Sequence, residues 1–338
     1  MGTSRPPRRH HIVPRFYLEG FAKNRLLRVI DLPGDNRFTQ SVANATVEND
    51  YYTVESHPEG GDVFERALGR IEAEASRVFR QITQEAVWPL HPVDRETLAT
   101  FITLQLLRGP AQREQLKQTA LAVAQLIINA SGPDGLQRLA VAHGEDLSAA
   151  AEAKTTWEQL SADGALDVTI SAATHIGHLG YLLPRLVKYV EGRPWALLQF
   201  ERRGLITSDA PVCPVPDPQM PPHMRMGLQT ARGLTFPLDR RHALLMSSPE
   251  PFIKGGVGVE EVMIGAWDLA RPGTTKDERA INLSTTLSAR KRLYHHPDDE
   301  QYVPTVLPEP VDSNLSAEDI YAQYGEDYAG DPEDWLDS

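Results

Sequence analysis

The spacing of apolar residues divides the chain into a helical middle and two β-rich flanks. From residue 62 to 83, apolar side chains recur at alternating intervals of four and three, the pattern of an amphipathic helix. They are Phe64, Leu68, Ile71, Ala75, Val78 and Ile82. Less regular helical patterns continue to about residue 190. The spacing therefore predicts a mostly helical segment over 62–190.

Short strand patterns flank this segment on both sides. Before it, Leu26–Asp31 and 38–42 are predicted strands around a turn, and 50–54 is a third strand candidate. After it, further strands and a late helix are predicted over 195–200, 204–207, 234–238, 243–247 and 276–289. Neither group alone supplies enough strands for a stable sheet, so we expect the two groups to join.

These patterns predict an α+β protein, in which the largely helical middle packs on a mostly antiparallel sheet built from N-terminal and C-terminal strands. A basic leader (1–9) precedes one domain (10–294), and an acidic tail (295–338) follows it. Within the domain we distinguish an N-terminal β-unit, a helical layer and a C-terminal β-unit with the late helix, over 10–61, 62–190 and 194–294.

Composition excludes several classes of protein. No stretch approaches the roughly 20 apolar residues that cross a bilayer, and no apolar segment follows the N-terminal charges. We therefore expect a cytoplasmic protein that does not enter a membrane. Cys213 is the only cysteine, which excludes an intrachain disulfide and a cysteine-based zinc site.

The net charge of −12 is concentrated at the C-terminal end. After Arg292 there are 13 acidic residues and no lysine or arginine, so the preceding residues carry a net charge of about +1. This balance argues against a broad nucleic-acid-binding surface. The basic leader favours an anionic ligand nearby, although a solvated arm without function is an alternative.

The adjacent pair His10-His11 is the most informative motif. Pro14 lacks a backbone donor and favours an extended Val13, so the pair is predicted to end a short strand. The apolar residues that would pin it to the core are Tyr17, Leu18 and Phe21. Neutral imidazole is a frequent metal ligand and general base. The alternative is a pair of hydrogen-bonding histidines at a structural corner.

Three further polar residues are placed where a ligand would need them. Asp209 follows a buried-looking strand and precedes Pro211, so it is a candidate metal ligand or partner of a histidine, with a local Asx-turn as the alternative. Gln105 lies on an apolar helix face, where an unpaired amide costs about 1–3 kcal/mol, so it is expected to contact either a partner across the domain or a substrate. Arg108 ends that helix and could fork onto a phosphate or a carboxylate, or lock the helix to the sheet.

Two carboxylates and a second histidine pair are weaker candidates. Glu65 and Glu72 are two helical turns apart on one stripe, and Glu72 is the better candidate because it adjoins an inward residue, although a solvated face explains both. His175 and His178 have helical metal-ligand spacing, yet the glycines between and after them indicate helix packing. Phosphate-loop, dinucleotide-binding, zinc-protease and serine-hydrolase motifs are absent, so no nucleotide cofactor is predicted.

The order of these segments resembles the family called domain of unknown function 4238, found in bacteria and fungi. That family opens with a His-His/Tyr-x-x-Pro-x-x-Tyr-Leu-x-x-Phe motif, which here runs from His10 to Phe21. The other shared marks are Tyr51-Tyr52, the helix from Glu65 to Glu72, Gln105 with Arg108, the strand end at 207–211, and Asn282 before Tyr294. The resemblance covers all but the leader and the tail, and it implies no activity.

A second resemblance is confined to His10-His11-Ile12-Val13-Pro14. Many nucleases of the HNH type begin in the same way, with one histidine binding the metal and the next activating water. That pattern requires a further histidine on a helix within a compact unit. Here the next histidine, His57, lies near a Pro/Gly loop, so the chain departs from the pattern soon after the motif.

The leading hypothesis is a metal-dependent hydrolase of a phosphodiester, with a nuclease as its concrete form. A divalent ion (Mg²⁺, Mn²⁺ or Zn²⁺) would be held by His10 and Asp209, and His11 would be the general base. Arg108 would neutralise charge on the phosphate of a nucleic acid or other phosphorylated ligand. Three residues would position the substrate: Gln105, Asn282 and Glu72.

The alternative hypothesis is a non-enzymatic protein that binds a ligand or partner, in a regulatory or defence-associated role, and whose polar cluster is structural. Both hypotheses expect the scattered polar residues to meet in one cleft, because buried polar groups persist when they satisfy one another or a ligand.

Overall fold

A computed structural model describes residues 9–49, 51–52, 63–142, 150–162, 166–215, 228 and 231–310. Its strands are β1 (Arg9–His11), β2 (Leu26–Asp31), β3 (Asn36–Ser41), β4 (Val47–Asn49), β5 (Trp195–Gln199), β6 (Thr207–Ser208), β7 (Cys213–Val215), β8 (Gly233–Pro237), β9 (His242–Ser247), β10 (Leu269–Pro272) and β11 (Arg292–His295). Its helices are α1 (Arg15–Glu19), α2 (Val63–Thr83), α3 (Pro92–Leu107), α4 (Pro110–Ala142), α5 (Ala150–Ser161), α6 (Ala172–Leu186), α7 (Lys188–Glu191), α8 (Glu250–Lys254), α9 (Val259–Met263) and α10 (Thr275–Ser288).

The described strands form sheets that combine both ends of the chain. A four-stranded antiparallel sheet has the order β3-β2-β11-β6, and a five-stranded sheet has the order β10-β5-β9-β8-β7 with β10 parallel to β5. A short antiparallel pair joins β1 to β4, with His10 opposite Glu48. The α+β class is therefore confirmed.

The predicted joining of N-terminal and C-terminal strands occurs at β2 and β11, where Val29 lies opposite Tyr294. The prediction of one sheet is nevertheless too simple, because most C-terminal strands form the separate five-stranded sheet. Every residue of β8, an inner strand of this sheet, is buried. The five-stranded sheet is therefore a separate part of the core and not an extension of the N-terminal hairpin.

Contacts divide the chain into two compact units. The described residues up to Pro110 and from Ala172 onward form the first unit, which holds both larger sheets; those of the second lie within 111–171. The prediction of a single helical layer over 62–190 is therefore too simple, because the structure distributes these helices between two units. Within the described residues, no helix is both long and apolar enough to cross a bilayer.

Several element boundaries have local reasons, and some differ from the prediction. Helix α3 ends at Leu107, next to Arg108, where the sequence predicts its end, and α4 starts at Pro110, because proline lacks the N–H that would continue α3. Gly132 interrupts α4 with a φ of 63°, a conformation that glycine adopts without steric cost. The third N-terminal strand lies at β4, earlier than predicted, and residues 50 and 53–54 of the prediction lie outside the described residues.

Helix α1 anchors the strand that carries the histidine pair, as the sequence predicts. Tyr17, Leu18 and Phe21 are buried. The Tyr17 hydroxyl donates to the Pro237 carbonyl at 2.8 Å and is hydrogen-bonded to Thr207 at 2.7 Å. Tyr17 thus ties α1 to a strand of each larger sheet. Because β1 directly precedes α1 in the chain, this contact also fixes the position of β1.

Candidate functional site

The two adjacent histidines have separate environments. Successive side chains of a strand point to opposite faces, so β1 directs the His10 and His11 imidazoles away from each other. His10 is 2% exposed and its ring lies 5.6 Å from the Tyr52 ring. His11 is half-buried, with Nδ1 3.2 Å from the Ala45 carbonyl oxygen. The predicted cooperation of both imidazoles in one site is therefore not supported.

The backbone fixes the tautomer of His10. The Tyr52 N–H donates to His10 Nδ1 at 2.9 Å, and a backbone amide can only donate. Nδ1 therefore carries the lone pair, and the proton of the neutral ring is on Nε2, which lies 3.7 Å from Glu65 Oε1. A metal bound through Nε2 would require the opposite tautomer, so this geometry argues against His10 as a metal ligand.

His11 has the complementary arrangement. The Ala45 carbonyl only accepts, so His11 Nδ1 carries the proton and Nε2 the lone pair. This is the tautomer that a general base or metal ligand at Nε2 requires. The predicted role of His11 as a general base stays a prediction. Any site at which His11 acts lies on the opposite face of β1 from His10.

Arg108 is the most unusual polar side chain of the first unit. It is fully buried at the C-terminal end of α3, and its Nη1 donates to Glu72 Oε1 on α2 at 2.7 Å. Its Nε and Nη2 have no hydrogen-bond partner among the described residues. Leaving a buried donor unpaired costs about 1–3 kcal/mol, and more for a charged group. The lock predicted between helix and sheet is instead an ion pair between two helices.

Gln105 extends this set of unpaired donors. It lies one helical turn before Arg108, which places both side chains on the same face of α3. It is 7% exposed, and its Nε2 has no partner in the part of the chain that the structure describes. Three nitrogen donors along this end of α3 therefore have no partner among the described residues, and the prediction that Gln105 contacts either a partner across the domain or a substrate stays open.

Glu65 supplies a carboxylate whose environment raises its pKa. Burial is the main cause, and the neighbouring Glu72 adds to the rise in the pKa of Glu65, while His10 and Arg108 oppose it. The Glu65 side chain is 30% exposed, whereas His10 and Arg108 are buried, so Glu65 is the member of this group that reaches solvent. The seven-residue spacing of Glu65 and Glu72 predicts that both carboxylates project to one side of the helix, although the sequence favours Glu72 as the functional one.

Tyr52 connects the β1 side of this cluster to α3. Its backbone holds His10, and its hydroxyl donates to the Arg108 carbonyl at 3.2 Å. Burial raises the pKa of Tyr52, so the phenol stays protonated and remains a donor. Tyr51 packs edge-on against Tyr52 and against His175 of α6, which agrees with helix packing as the role of that histidine.

Asp209 has a structural role that the sequence did not predict. Its carboxylate accepts the backbone N–H groups of Arg290, Lys291 and Arg292 at 2.8, 2.8 and 3.2 Å. Burial raises the pKa of Asp209, and these three bonds oppose the rise. The carboxylate thus holds the turn between α10 and β11. These bonds favour a structural role over the predicted catalytic and metal-binding role, which stays a prediction, and the partners are distant in sequence rather than those of a local Asx-turn.

Asn282 is likewise part of the framework. Its side-chain oxygen accepts the Ile206 N–H at 3.1 Å, and its amide nitrogen donates to the Gly204 and Tyr302 carbonyls and to Glu278. Every polar atom of this side chain is used within the protein. The predicted role of Asn282 in positioning a substrate is therefore not supported, because the side chain is buried and both its oxygen and its nitrogen are bonded within the protein.

The structure brings together only part of the predicted site. His10, Glu65, Tyr52, Glu72 and Arg108 are linked by the contacts above, and we call these five residues, together with Gln105, the arginine cluster. Asp209 instead binds the α10–β11 turn, and Asn282 binds the segment from Gly204 to Ile206. Among the described residues, no group of three or more His, Cys, Asp or Glu side chains is arranged to hold a metal ion. The residues therefore do not fit the predicted divalent-ion site at His10 and Asp209.

Comparison with known proteins identifies one family. No curated protein and no solved structure matches the chain. The family model described as "Protein of unknown function (DUF4238)" matches residues 9–299. This range includes the histidine motif, the arginine cluster and both larger sheets, and it agrees with the resemblance seen in the order of motifs. The chain therefore belongs to the DUF4238 family.

Proposed function

We propose that the arginine cluster binds a phosphodiester and hydrolyses it. The observation that carries this proposal is the unpaired edge of Arg108, whose Nε and Nη2 are buried without a partner among the described residues. These two nitrogens form a planar fork that matches two oxygens of a phosphoryl group or carboxylate. A bound oxyanion would satisfy donors whose burial is otherwise unfavourable.

The neighbouring carboxylates favour a phosphodiester over a phosphate monoester. Glu72 is held by Arg108 Nη1, and Glu65 is close enough for its pKa to respond to both Arg108 and Glu72. A ligand with two negative charges would be repelled by these carboxylates more strongly than a diester, which carries one. Gln105 adds a neutral donor and so contributes a hydrogen bond without further charge.

Glu65 is the side chain best suited to acid–base chemistry in the cluster. An elevated pKa brings a carboxylate closer to the working range of a general base. In the proposed step, water attacks phosphorus while one of its protons passes to Glu65. The P–O bond to the leaving alcohol breaks, and the protonated Glu65 returns the proton to the leaving oxygen. Arg108 stabilises the charge that develops on the phosphoryl oxygens.

His10 acts through Glu65 in this proposal. Its Nδ1 accepts the Tyr52 N–H, so the Nε2 proton faces the Glu65 carboxylate. A neutral imidazole in this tautomer is a poor proton acceptor at Nε2 but a suitable donor. We therefore assign His10 the role of a positioning residue that orients Glu65, in place of the metal-ligand role expected from the sequence.

The test is hydrolysis of bis(4-nitrophenyl) phosphate and of mixed single-stranded RNA and DNA, measured in EDTA and separately with Mg²⁺, Mn²⁺ or Zn²⁺. We expect hydrolysis in EDTA, and its loss in Glu65→Gln. The matched control is Glu74→Gln, which removes an exposed carboxylate from the same helix and keeps the wild-type rate. No hydrolysis by the wild type under any condition contradicts the proposal.

The same assay decides the metal dependence predicted from the sequence, which stays a prediction. If EDTA abolishes hydrolysis and one ion restores it, the acid–base scheme at Glu65 is wrong and a metal-dependent scheme replaces it. If EDTA has no effect, the metal prediction fails.

A non-enzymatic binding protein is the second candidate, and one observation favours it. Asp209 and Asn282, the predicted catalytic and substrate-positioning residues, both form hydrogen bonds that hold the framework. On this account the arginine cluster binds an anion without turnover. Dimethyl phosphate that raises the melting temperature of the wild type, with no hydrolysis of any diester, would support this candidate over the hydrolase.

A further inference from the structure

A line of four arginines runs along the solvent-facing side of α2. Arg66, Arg70, Arg77 and Arg80 are all exposed. At 3.6 residues per turn their side chains fall within an arc of about 80°. Their separation of 14 positions corresponds to about 21 Å along the helix axis, at 1.5 Å per residue. We call these four residues the arginine stripe.

The opposite side of α2 holds the stripe in place. Leu68, Ala75, Val78 and Ile82 are buried and face the core of the first unit. The helix therefore cannot rotate without exposing these residues, so the four arginines project from a fixed, straight scaffold. A preformed line of charge binds an extended polyanion with less loss of conformational entropy than charges on a mobile loop.

Two of the four guanidinium groups of the stripe, those of Arg70 and Arg80, are exposed and available to a ligand. Arg77 forms an ion pair with Asp94 of α3, but both side chains are partly exposed, and exposed pairs contribute little to stability. Arg70 and Arg80 form no ion pair with any residue that the structure describes. Between them, Ala73 is small and exposed, so a ligand would meet no bulky side chain in the middle of the stripe.

The stripe lies beside the arginine cluster. Glu65 immediately precedes Arg66, and Glu65 and Glu72 project about 100–120° around the helix from the stripe, on one side of it. A polyanion that follows the stripe therefore passes the partly exposed carboxylates of Glu65 and Glu72, behind which Arg108 is buried. One ligand could place its phosphates on the arginines and one phosphodiester at Glu65.

We propose that the arginine stripe binds the sugar–phosphate backbone of a single-stranded nucleic acid and delivers it to the arginine cluster. This inference rests on the proposed hydrolysis of a phosphodiester and names its substrate class. A single line of cations on one helix matches one phosphate backbone, whereas the two backbones of a duplex would need two rows. Phosphate contacts of this kind are independent of sequence, so we expect little base preference.

The test measures binding of a fluorescein-labelled oligothymidylate of about 16 nucleotides by anisotropy, in EDTA, as a function of salt. DNA is used because it lacks the 2′-hydroxyl group, and binding needs no turnover. The variant Arg70→Gln/Arg80→Gln is compared with the control Arg202→Gln/Arg279→Gln, which removes two exposed arginines from other parts of the first unit. Both variants change the net charge equally.

We expect the stripe variant to bind several-fold more weakly and to lose about 1.4 from the slope of log affinity against log salt, since each single-strand phosphate contact contributes about 0.7. The control should keep the wild-type slope. Equal slopes for the two variants, or no binding by the wild type, overturn the inference. A wild type that binds DNA through the stripe but hydrolyses no diester would uphold this inference and reject only the proposed hydrolysis.

Discussion

At the scale of single residues, the comparison of two buried arginines shows why Arg108 is exceptional. Arg95 lies on the same helix and is also fully buried, but its guanidinium binds Asp268 and the carbonyls of Glu191, Met263 and Arg193, and lies 4.1 Å above the Trp195 ring. Arg108 has only Glu72 as a side-chain partner among the described residues. The fold thus pairs Arg95 fully, whereas the Nε and Nη2 of Arg108 have no partner among the described residues, which is the basis for proposing that they bind a ligand.

The raised pKa of Glu65 predicts a dependence of stability on pH. A carboxyl group whose pKa is higher in the folded chain favours folding while protonated. Its contribution is present below the unfolded pKa and is lost as the pH rises through the folded pKa. We therefore expect the wild type to lose stability relative to Glu65→Gln as the pH rises above the ordinary glutamate pKa of about 4.3.

Urea unfolding of both proteins across this range measures the difference. Glu74→Gln is the control, because its exposed carboxyl should give a difference that does not change with pH. A difference between the wild type and Glu65→Gln that is constant over the range would show that the environment of Glu65 does not disfavour its charge.

Burial also predicts that the single cysteine is unreactive. Burial raises the pKa of Cys213 to about 11, although hydrogen bonds with Ser288, Thr285 and Thr235 oppose the rise. The thiolate is the reactive form, so at pH 8 the folded protein should resist iodoacetamide and be labelled only after unfolding in urea. Mass spectrometry measures the labelling, and complete alkylation of the folded protein contradicts the prediction.

At the scale of elements, periodic patterns predicted helices and strands better than they predicted partners. The four-and-three spacing identified α2, and alternation around a turn identified β2 and β3. The strands β1, β7 and β10 have three or four residues, too few for a period to emerge. They form because a neighbouring strand supplies their hydrogen bonds, and single-sequence patterns do not carry that information.

The dependence on tertiary partners also explains why the structure supports some candidate site residues and not others. Gln105 and Arg108 were recognisable because polar groups interrupt an apolar helix face, and the structure leaves both with unpaired donors. Asp209 gave an equally strong local signal, but its carboxylate is used by a turn 81 to 83 positions away. Whether a buried polar group is satisfied depends on tertiary partners, so sequence alone did not separate these cases.

Removal of the Asp209 carboxylate should destabilise the protein at the α10–β11 turn. Asp209→Asn replaces an acceptor by an amide N–H₂ that faces backbone donors, so at least one buried N–H loses its partner. We expect a loss of at least about 1–3 kcal/mol in the free energy of unfolding. Asp298→Asn, which alters an exposed ion pair with Lys23, should leave the stability unchanged. Equal stability of Asp209→Asn and the wild type contradicts the structural role.

At the scale of the whole molecule, the two ends of the chain contribute to one framework with a polar cluster in its first unit. Strands β2 and β11 join residues more than 260 positions apart, and α1 fixes β1 to the same core. The negative charge is unevenly distributed along the chain: the acidic surplus lies after Arg292, and the preceding residues are nearly neutral. A net charge of −12 therefore does not describe the surface around α2, and local arrangement decides what that surface binds.

The central claim is that the unpaired edge of Arg108 binds a singly charged phosphodiester. The most direct measurement is an NMR titration of the Arg108 Nε–H signal with dimethyl phosphate, with the signal assigned by its absence in Arg108→Lys. We predict a saturable shift of this signal, and binding to Arg108→Lys that is at least about tenfold weaker, or about 1.4 kcal/mol. Arg202→Lys, at an exposed site, should bind as the wild type does. A signal that does not move as dimethyl phosphate is added, or equal binding by Arg108→Lys and the wild type, would contradict the account.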